Sequence, residues 1–338
     1  MWKAMQWLQK NLIWSIPASM ILGILIGSLT HPSFLRMTII PLTFLMVYPM
    51  MVNLDIKRVF SPGDTKLQIV TQVMNFGIVP FLGFGMGSLF FADKPLLIVG
   101  LLLTSLLPTS GMTISWTGFA RGNIPAAVKM TVIGLVIGSL ATPFYLQFLA
   151  GTIIEIPLGE VFQQILFIVF LPMAAGYATQ RFIIWKAGKE TYQKVWKPRF
   201  PALSTLGVLG IVFVAMALKA DTIVQNPVIL IQLLLPLLLL YGINFALSTI
   251  VGKFFFNRGD GIALVYGTVM RNLSIALAIA MTVFGPQGSE IALIIAVAYI
   301  IQVQAAAWYV KFTDAIFGAA PAEVATPAPV APSTSQGM

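Results

Sequence analysis

The segment Leu107-Pro108-Thr109-Ser110-Gly111-Met112-Thr113 lies in the middle of an apolar stretch over residues 95–119. Proline removes a backbone hydrogen-bond donor and glycine relaxes the chain, while three hydroxyl side chains can satisfy the backbone groups that a break would free. The stretch is long enough to cross a hydrocarbon core of ~30 Å as a helix. The pattern predicts a membrane-spanning helix interrupted near its centre. A simple proline kink, with small residues permitting close helix packing, is the structural alternative.

A second apolar stretch, over residues 261–284, carries Gly267-Thr268-Val269-Met270-Arg271-Asn272-Leu273-Ser274 at its centre. A central arginine costs roughly 2.5–3.5 kcal/mol on insertion scales, so it needs a partner or a function. Pro108 precedes the next turn, at Gly122, by 14 residues, and Arg271 precedes Gly285 by 14. We expect both helices to unwind and cross near the protein centre. Helix N-termini there would favour anions, and exposed carbonyls would favour cations.

Composition places the whole chain in a membrane. Hydrophobic residues make up 58% of the 338 residues and charged residues only 9%, whereas a soluble domain has about 25% charged residues. Apolar stretches recur along the chain and predict an all-α polytopic membrane protein with ten transmembrane helices. The predicted spans are 11–29, 35–53, 68–91, 95–119, 124–150, 158–183, 201–219, 227–251, 261–284 and 288–313.

The ten spans divide evenly into two halves. Five spans precede the loop at residues 151–157 and five follow it, so the halves must insert in opposite orientations. This arrangement predicts two inverted five-helix repeats, residues 1–152 and 153–316, with crossed discontinuous helices 4 and 9. An Ala/Pro/Ser-rich cytoplasmic tail over residues 317–338 is predicted to be disordered.

The charge distribution fixes the predicted orientation. The formal net charge is +9, and 16 of the 20 Lys and Arg residues fall in alternate loops that include both ends of the chain. Three fall in the opposite loops, namely Arg36, Lys94 and Lys219. This bias predicts a multi-pass protein of the cell membrane with cytoplasmic N- and C-termini. Because the basic residues lie in short loops facing the lipid bilayer, a nucleic-acid partner is not expected.

Absent residue types narrow the function. The chain has no cysteine, its single histidine is His31 in a loop, and all 11 carboxylates lie in loops or at span ends. The usual catalytic and metal-binding groups are therefore missing from the spans, so neither an enzyme nor a cofactor is expected. Proton coupling through a buried carboxylate is also disfavoured. A secondary transporter is the leading hypothesis. A passive anion channel is the alternative, although polar residues concentrate at the two breaks and do not form a continuous pore.

The residues predicted to bind the solute are polar and lie within or beside the two breaks. They are Thr109, Ser110, Thr113, Arg271, Asn272 and Ser274, together with Asn75, Gln302 and Gln304 from neighbouring spans. The fork of donors on Arg271 suits an oxyanion or a carboxylate, so a small anionic solute is expected. In the structural alternative, Arg271 is pinned to internal carbonyls and the amides join helices to one another. The sequence does not decide the assembly, for which a homodimer is a candidate.

Several motifs carry a resemblance to a known family. They are Phe44–Met51, Gly77–Leu82, Trp116–Asn123, Val214–Lys219 and Ile275–Ala280 with Val283–Gly285. Taken in this order, they make residues 5–313 similar to the bile acid/sodium symporter superfamily, and within it to the arsenite efflux permeases. The resemblance implies a ten-span fold with broken helices 4 and 9. It also implies transport of arsenite or a similar oxyanion or, as in the bile acid branch, of an organic anion.

The chain departs from the arsenite permeases at their functional positions. Those permeases carry a cysteine in the broken part of span 4, where this chain has Thr109. Their Asn-Asn pair in span 9 falls on Arg271 and Asn272, and the glutamate that follows falls on Ser274. The thiolate expected to meet arsenic is therefore missing.

The chain also lacks the sodium ligands of the sodium-coupled members of this superfamily. The resemblance places their sodium ligands, a glutamate, a glutamine and an asparagine, on Gly267, Arg271 and Ile114. Oxygen ligands for an ion remain at Thr113, Thr117 and Asn272. We hypothesise that the fixed charge of Arg271 either replaces bound sodium or pairs with the solute. Both versions predict an anionic solute, and the first predicts transport that does not depend on sodium.

Overall fold

The computed structural model describes residues 2–30, 32–57 and 61–319. Within these ranges the regular secondary structure is entirely helical. The helices are α1 (Trp2–Lys10), α2 (Leu12–Thr30), α3 (Ile39–Val52), α4 (Thr65–Gly77), α5 (Val79–Phe90), α6 (Pro95–Leu106), α7 (Gly111–Phe119), α8 (Ile124–Tyr145), α9 (Leu158–Ile165), α10 (Leu171–Ala187), α11 (Lys189–Thr191), α12 (Arg199–Leu218), α13 (Ala220–Gln225), α14 (Val228–Phe255), α15 (Arg258–Val269), α16 (Leu273–Val283) and α17 (Gly288–Phe317). The predicted tail lies outside the described residues from position 320 onward.

Short turns of other helix types lengthen or join several helices. A 3₁₀ turn, Ser33–Thr38, precedes α3, and another, Gly285–Gln287, precedes α17. Turns of π-helix occupy Leu146–Ala150 after α8, Leu166–Phe170 between α9 and α10, and Tyr192–Trp196 before α12. These turns keep the long helical segments continuous across most of a membrane thickness.

Seven helical segments within the described ranges are long and apolar enough to cross a membrane. They are Ser33–Val52, Thr65–Phe90, Ile124–Ala150, Leu158–Ala187, Lys189–Leu218, Val228–Phe255 and Gly285–Phe317. The bent pair α1 and α2 is an eighth candidate. Two further helices, α6 and α16, are apolar but only 12 and 11 residues long. The prediction of an all-α polytopic membrane protein is confirmed.

The shortest apolar helices lie at the centre of the molecule. Every residue of Leu97–Leu106 in α6 and of Gly261–Val269 in α15 is buried, as are all residues of α16 except Thr282. Helices α2 and α14, in contrast, expose many leucine and isoleucine side chains. The outer helices therefore shield the inner ones from lipid. Irregular backbone is tolerated at membrane depth only where protein surrounds it in this way.

The segment predicted as one continuous span 3 contains a break. Helix α4 ends at Gly77 and α5 begins at Val79, because Pro80 has no N–H to donate to a preceding carbonyl. The hydroxyl of Tyr145, on α8, donates to the carbonyl of Phe76 at 2.5 Å. A side chain from another helix thus replaces the backbone bond lost at the proline.

The basic segment at residues 181–199 is largely helical. Helix α10 continues to Ala187, and a new helical segment starts at Lys189. Gly188 separates them with a φ of 83°, a left-handed conformation that glycine adopts without steric cost. The connection between predicted spans 6 and 7 is therefore a sharp turn between two long helical segments.

Candidate functional site

The first predicted interruption lies between α6, which ends at Leu106, and α7, which begins at Gly111. Thr109 adopts a left-handed φ of 64°, which is unfavourable for a β-branched residue and must be imposed by its surroundings. Its hydroxyl donates to the carbonyl of Pro108 at 2.6 Å. The break is thus a defined backbone conformation and more than a simple kink.

Two of the predicted solute ligands form the N-terminal cap of α7. The Ser110 hydroxyl accepts the N–H of Met112 at 3.2 Å, and the Thr113 hydroxyl accepts the N–H of Ser110 at 3.1 Å. This reciprocal capping box satisfies donors that a helix start leaves free. Ser110 and Thr113 therefore fix where α7 begins, beside the break.

The second predicted interruption lies between α15, which ends at Val269, and α16, which begins at Leu273. Asn272 caps α16, because its side-chain oxygen accepts the N–H of Ile275 at 3.2 Å. Each break is therefore followed by a capped helix that starts at the protein centre. The N-termini of α7 and α16 contribute partial positive charge there.

The two breaks pair with each other. Pro108 and Arg271 form an isolated antiparallel bridge. On either side of it, the N–H of Thr109 donates to the carbonyl of Met270 at 2.7 Å, and the N–H of Asn272 donates to the carbonyl of Leu107 at 2.7 Å. Each interruption thus supplies backbone partners that the other has lost, in a region where water is scarce.

Arg271 is the charged residue at this centre, and it is only 3% exposed. One of its terminal nitrogens, Nη2, donates to the carbonyl of Thr268. Its Nε and Nη1 atoms are buried and have no hydrogen-bond partner among the described residues. Since Nε carries one N–H and Nη1 carries two, these two nitrogens leave three donors available.

Gln302, on α17, holds the backbone of Arg271. Its Oε1 accepts the N–H of Arg271 at 2.8 Å and the hydroxyl of Tyr241 at 3.0 Å, and its Nε2 donates to the carbonyl of Arg271 at 3.2 Å. Gln304 lies two residues further along, about 200° around the helix. It is half-buried, and no hydrogen bond of the described residues connects it to Arg271. The structure therefore brings Gln302, and not Gln304, to the break.

Side chains from two other helices bind the carbonyls at the end of α15. Asn75, on α4, donates to the carbonyl of Gly267 at 3.0 Å, and Asn244, on α14, donates to that of Thr268 at 3.0 Å. The Oδ1 of Asn75 is buried without a partner among the described residues. Asn244 and Tyr241 were not predicted as site residues. Their polarity at mid-span was the available signal, but no sequence spacing linked them to Arg271.

The remaining predicted residues, Ser274 and Thr117, lie on the helices that follow the two breaks. The hydroxyls of Ser274 and Tyr299 are 2.5 Å apart. Thr117, one turn beyond Thr113 on α7, is buried, and its hydroxyl has no partner among the described residues. Of the three predicted ion ligands, Thr113 and Asn272 already use an oxygen as a helix cap. Their role toward an ion stays a prediction.

A helical membrane protein in which two interrupted helices meet at a buried polar centre has the typical architecture of a secondary transporter. The family model of the Sodium Bile acid symporter family matches residues 40–226, which is more than half of the chain. The chain belongs to this family of membrane transporters. The resemblance found in the sequence motifs is thereby confirmed.

Curated relatives agree with this assignment. The arsenical-resistance protein Acr3 of Alkaliphilus metalliredigens is 24% identical over 272 residues, which cover 76% of this chain and 76% of the relative. Acr3 of Corynebacterium glutamicum is 24% identical over 239 residues, 67% of this chain and 64% of the relative. An uncharacterized sodium-dependent transporter of Bacillus subtilis, YocS, is 23% identical over 222 residues, 64% of this chain and 65% of the relative.

Proposed function

We propose that this transporter is a secondary carrier that moves a small anionic solute across the cell membrane by alternating access. Similarity to two proteins named for arsenical resistance supports an oxyanion such as arsenite. The single observation that carries the anionic part is the buried guanidinium of Arg271, whose Nε and Nη1 have no partner among the described residues. A solute oxygen can accept these donors in charge-assisted hydrogen bonds.

We further propose ten spans arranged as two inverted five-helix repeats, residues 1–152 and 153–316, with both termini cytoplasmic. Seven long segments, α2 and the two interrupted pairs α6/α7 and α15/α16 together make ten crossings. The mutual pairing of the two breaks supports crossed helices at equivalent places in the two repeats. No catalytic role is proposed.

The alternative within the same class is a carrier of a small organic anion. Position 109 is a threonine, and the chain contains no cysteine that could form a bond between sulfur and arsenic. Binding would then depend on charge and hydrogen bonds, which a carboxylate satisfies as well as an oxyanion does. A passive channel is less well supported, because Arg271 is buried in paired backbone and does not line an open pore.

We also propose that transport does not require sodium. In this interpretation Arg271 supplies a permanent positive charge where sodium-coupled relatives would hold the ion. An arginine guanidinium carries its charge without binding an ion, so a sodium ion would not be needed to supply positive charge at this position. The solute would then be driven by exchange or by the membrane potential.

The test is solute flux in proteoliposomes made from the purified protein. Uptake of arsenite and of small carboxylates is measured for the wild type, Arg271→Gln and Arg271→Lys, with sodium present or replaced by choline. We expect Arg271→Gln to lower flux at least about tenfold, since charge-assisted hydrogen bonds contribute ~1.5–3 kcal/mol. Arg271→Lys keeps the charge without the fork and should be intermediate. Arg181→Gln, at an exposed position on α10, is the matched control.

Two results would contradict these proposals separately. Undiminished anion flux in Arg271→Gln would remove the proposed role of the guanidinium in binding. Strong sodium dependence of the wild type would remove the sodium-replacement role but leave the anion-binding role intact.

A further inference from the structure

A polar stripe runs along one face of α4. Asp64, which precedes the helix, is followed by Gln68, Gln72 and Asn75 at intervals of four, four and three residues. These intervals place the side chains one above another on a helix. The 11 residues rise by ~16 Å, about half the thickness of a ~30 Å hydrocarbon core. The other face carries Ile69 and Val73, which are 58% and 59% exposed and suit contact with lipid. The stripe therefore connects the loop before α4 with the level of the two breaks.

The stripe holds an unusual share of unpaired polar atoms. Ten buried side-chain nitrogen and oxygen atoms among the described residues have no hydrogen-bond partner. Two belong to Arg271 and four to the stripe, namely Oδ1 of Asn75, Oε1 of Gln68, and both Oε1 and Nε2 of Gln72. Gln68 and Asn75 use only their amide nitrogens: that of Gln68 donates to the carbonyl of Ala126, and that of Asn75 donates to the carbonyl of Gly267.

Unpaired buried polar groups call for a specific explanation, because native proteins satisfy nearly all of them. If these positions served only packing, apolar residues would fill them at no cost in desolvation. Their alignment toward Arg271 gives the explanation. Water or a solute that reached these groups would supply the missing hydrogen-bond partners.

The end of the stripe at the membrane surface is closed by a polar clamp centred on Asn123. Its Nδ2 donates to Asp260 Oδ1 at 2.7 Å and to Asp64 Oδ1 at 3.4 Å, while its own Oδ1 accepts the N–H of Ala126 at 3.0 Å. Its backbone N–H donates to the carbonyl of Gly259 at 2.9 Å. One side chain thus ties the segment before α4 to the starts of α8 and α15.

We propose that the stripe of α4 lines the solute's route between Arg271 and the membrane face that carries Asp64 and Asp260, and that the Asn123 clamp closes this route in the present conformation. The inference rests on the proposed transport function. Neutral amides suit such a route, since they donate to a passing anion without holding it as a fixed charge does. The charged side chains around the membrane-surface end of the stripe carry a net positive charge. The cations are Lys66, Lys129, Arg121 and Arg258, and they outnumber the carboxylates Asp64, Asp260 and Asp314.

The chain has no cysteine, so a single introduced cysteine is the only thiol in the protein. Gln72→Cys places it on the stripe, and Val73→Cys places it on the lipid-exposed face one residue away as a matched control. Vesicles of each orientation are treated with a membrane-impermeant methanethiosulfonate carrying a quaternary ammonium group. Only a wetted thiol ionises and reacts, so Gln72→Cys should react at least about tenfold faster than Val73→Cys. The reaction should occur from the face bearing Lys66.

Opening the clamp should expose the stripe further. Adding Asn123→Ala to Gln72→Cys should raise the labelling rate several-fold. Asn53→Ala, which removes bonds to the Lys197 carbonyl and from the Tyr192 hydroxyl on the same predicted membrane face, should not change it. If Asn123→Ala does not give a monodisperse protein, Asp260→Ala removes the 2.7 Å bond instead, with the same expectation.

Three results would overturn the proposal: no reaction of Gln72→Cys from either face even with the clamp removed, equal reaction of Gln72→Cys and Val73→Cys, or reaction only from the opposite face. Labelling requires no solute. The anionic-solute proposal can therefore fail in the flux assay while the route is still supported, and the reverse also holds.

Discussion

Arg271 is fixed mainly through its backbone, which leaves most of its side chain free to bind. Gln302 holds both the N–H and the carbonyl of Arg271, whereas the guanidinium makes a single hydrogen bond to the described part of the chain, at Thr268. A buried charge that is held but not neutralised is costly, and it persists in proteins mainly at functional positions. This division between a held backbone and an available side chain is what a binding residue requires.

The role of Gln302 can be separated from that of Gln304 by paired alanine substitutions. Gln302→Ala leaves the buried backbone groups of Arg271 without partners, and we expect it to lower stability by ~1–3 kcal/mol. Gln304→Ala should change stability by no more than about 0.5 kcal/mol, as is usual away from buried networks. The measurement is the midpoint of thermal unfolding in detergent, followed by intrinsic tryptophan fluorescence. Equal midpoints for the two variants would show that the amide of Gln302 does not position Arg271.

The sequence indicated residues of the central break where a single residue violated the rules of its environment. Arg271 and Asn272 could be singled out from the sequence because charge and polarity are expensive at mid-span. Gln302 could not be told from Gln304, because which of two nearby amides faces a break depends on the rotation of α17 against its neighbours. The contribution of Asn244 and Tyr241 depends in the same way on how α14 packs beside α15.

At the scale of elements, glycines on α8 determine how closely the first break can approach. A Cβ atom added at Gly138 would lie 2.7 Å from the Cδ of Pro108, and one added at Gly134 would lie 2.6 Å from the Thr109 hydroxyl. The proline ring is rigid and cannot turn aside. Helix α8 thus acts as the surface against which the left-handed turn at Thr109 is shaped.

Gly138→Ala should therefore displace the break, with a cost of ~1–3 kcal/mol typical of overpacked sites. Gly242→Ala in α14 is the matched control, because nothing lies within 4 Å of its added Cβ. Alanine there should be neutral or slightly stabilising, given its higher helix propensity. We expect the thermal midpoint and the anion flux to fall in Gly138→Ala only. A parallel loss in both variants would indicate a general effect of glycine replacement in these helices.

Element boundaries were predictable to the extent that local chemistry set them. Pro108 and the hydroxyls around it indicated the break in residues 95–119, and their capping interactions are local ones. The break between α4 and α5 was missed although Pro80 marks it. Its stability depends on the Tyr145 hydroxyl, which comes from 69 residues further along the chain. A proline predicts where a backbone bond is lost, but not which distant group replaces it.

At the scale of the whole molecule, the buried position of α6, α15 and α16 accounts for the survival of two broken helices in a membrane. Unsatisfied backbone groups in hydrocarbon cost several kcal/mol each, so lipid cannot surround the breaks. The paired breaks share hydrogen bonds, and longer helices enclose them.

The overall pattern of apolar stretches predicted this helical fold, because hydrophobicity along the chain reports membrane crossings directly. The order in which helices surround the centre was not predictable, since lipid-facing and protein-facing surfaces are both apolar.

The number of crossings depends on whether α6 with α7, and α15 with α16, each traverse the membrane or turn back. Helices α6 and α16 are too short to cross alone. If each pair crosses, Asp93 and Arg121 lie on opposite faces, and so do Lys253 and Gln287. If a pair is a re-entrant hairpin, its two markers share one face.

Single-cysteine variants at these four positions, in the chain's cysteine-free background, can be labelled in sealed vesicles of known orientation. We expect the cysteines at Arg121 and Lys253 to react from the cytoplasmic face and those at Asp93 and Gln287 from the outer face, because the charge bias orients ten spans in that way. Glu190→Cys, in the basic linker, serves as the cytoplasmic reference. Labelling of both members of a pair from one face would reduce the count to eight or nine and remove the inverted-repeat proposal. The pairing of the two breaks around Arg271 would then need a different topological origin.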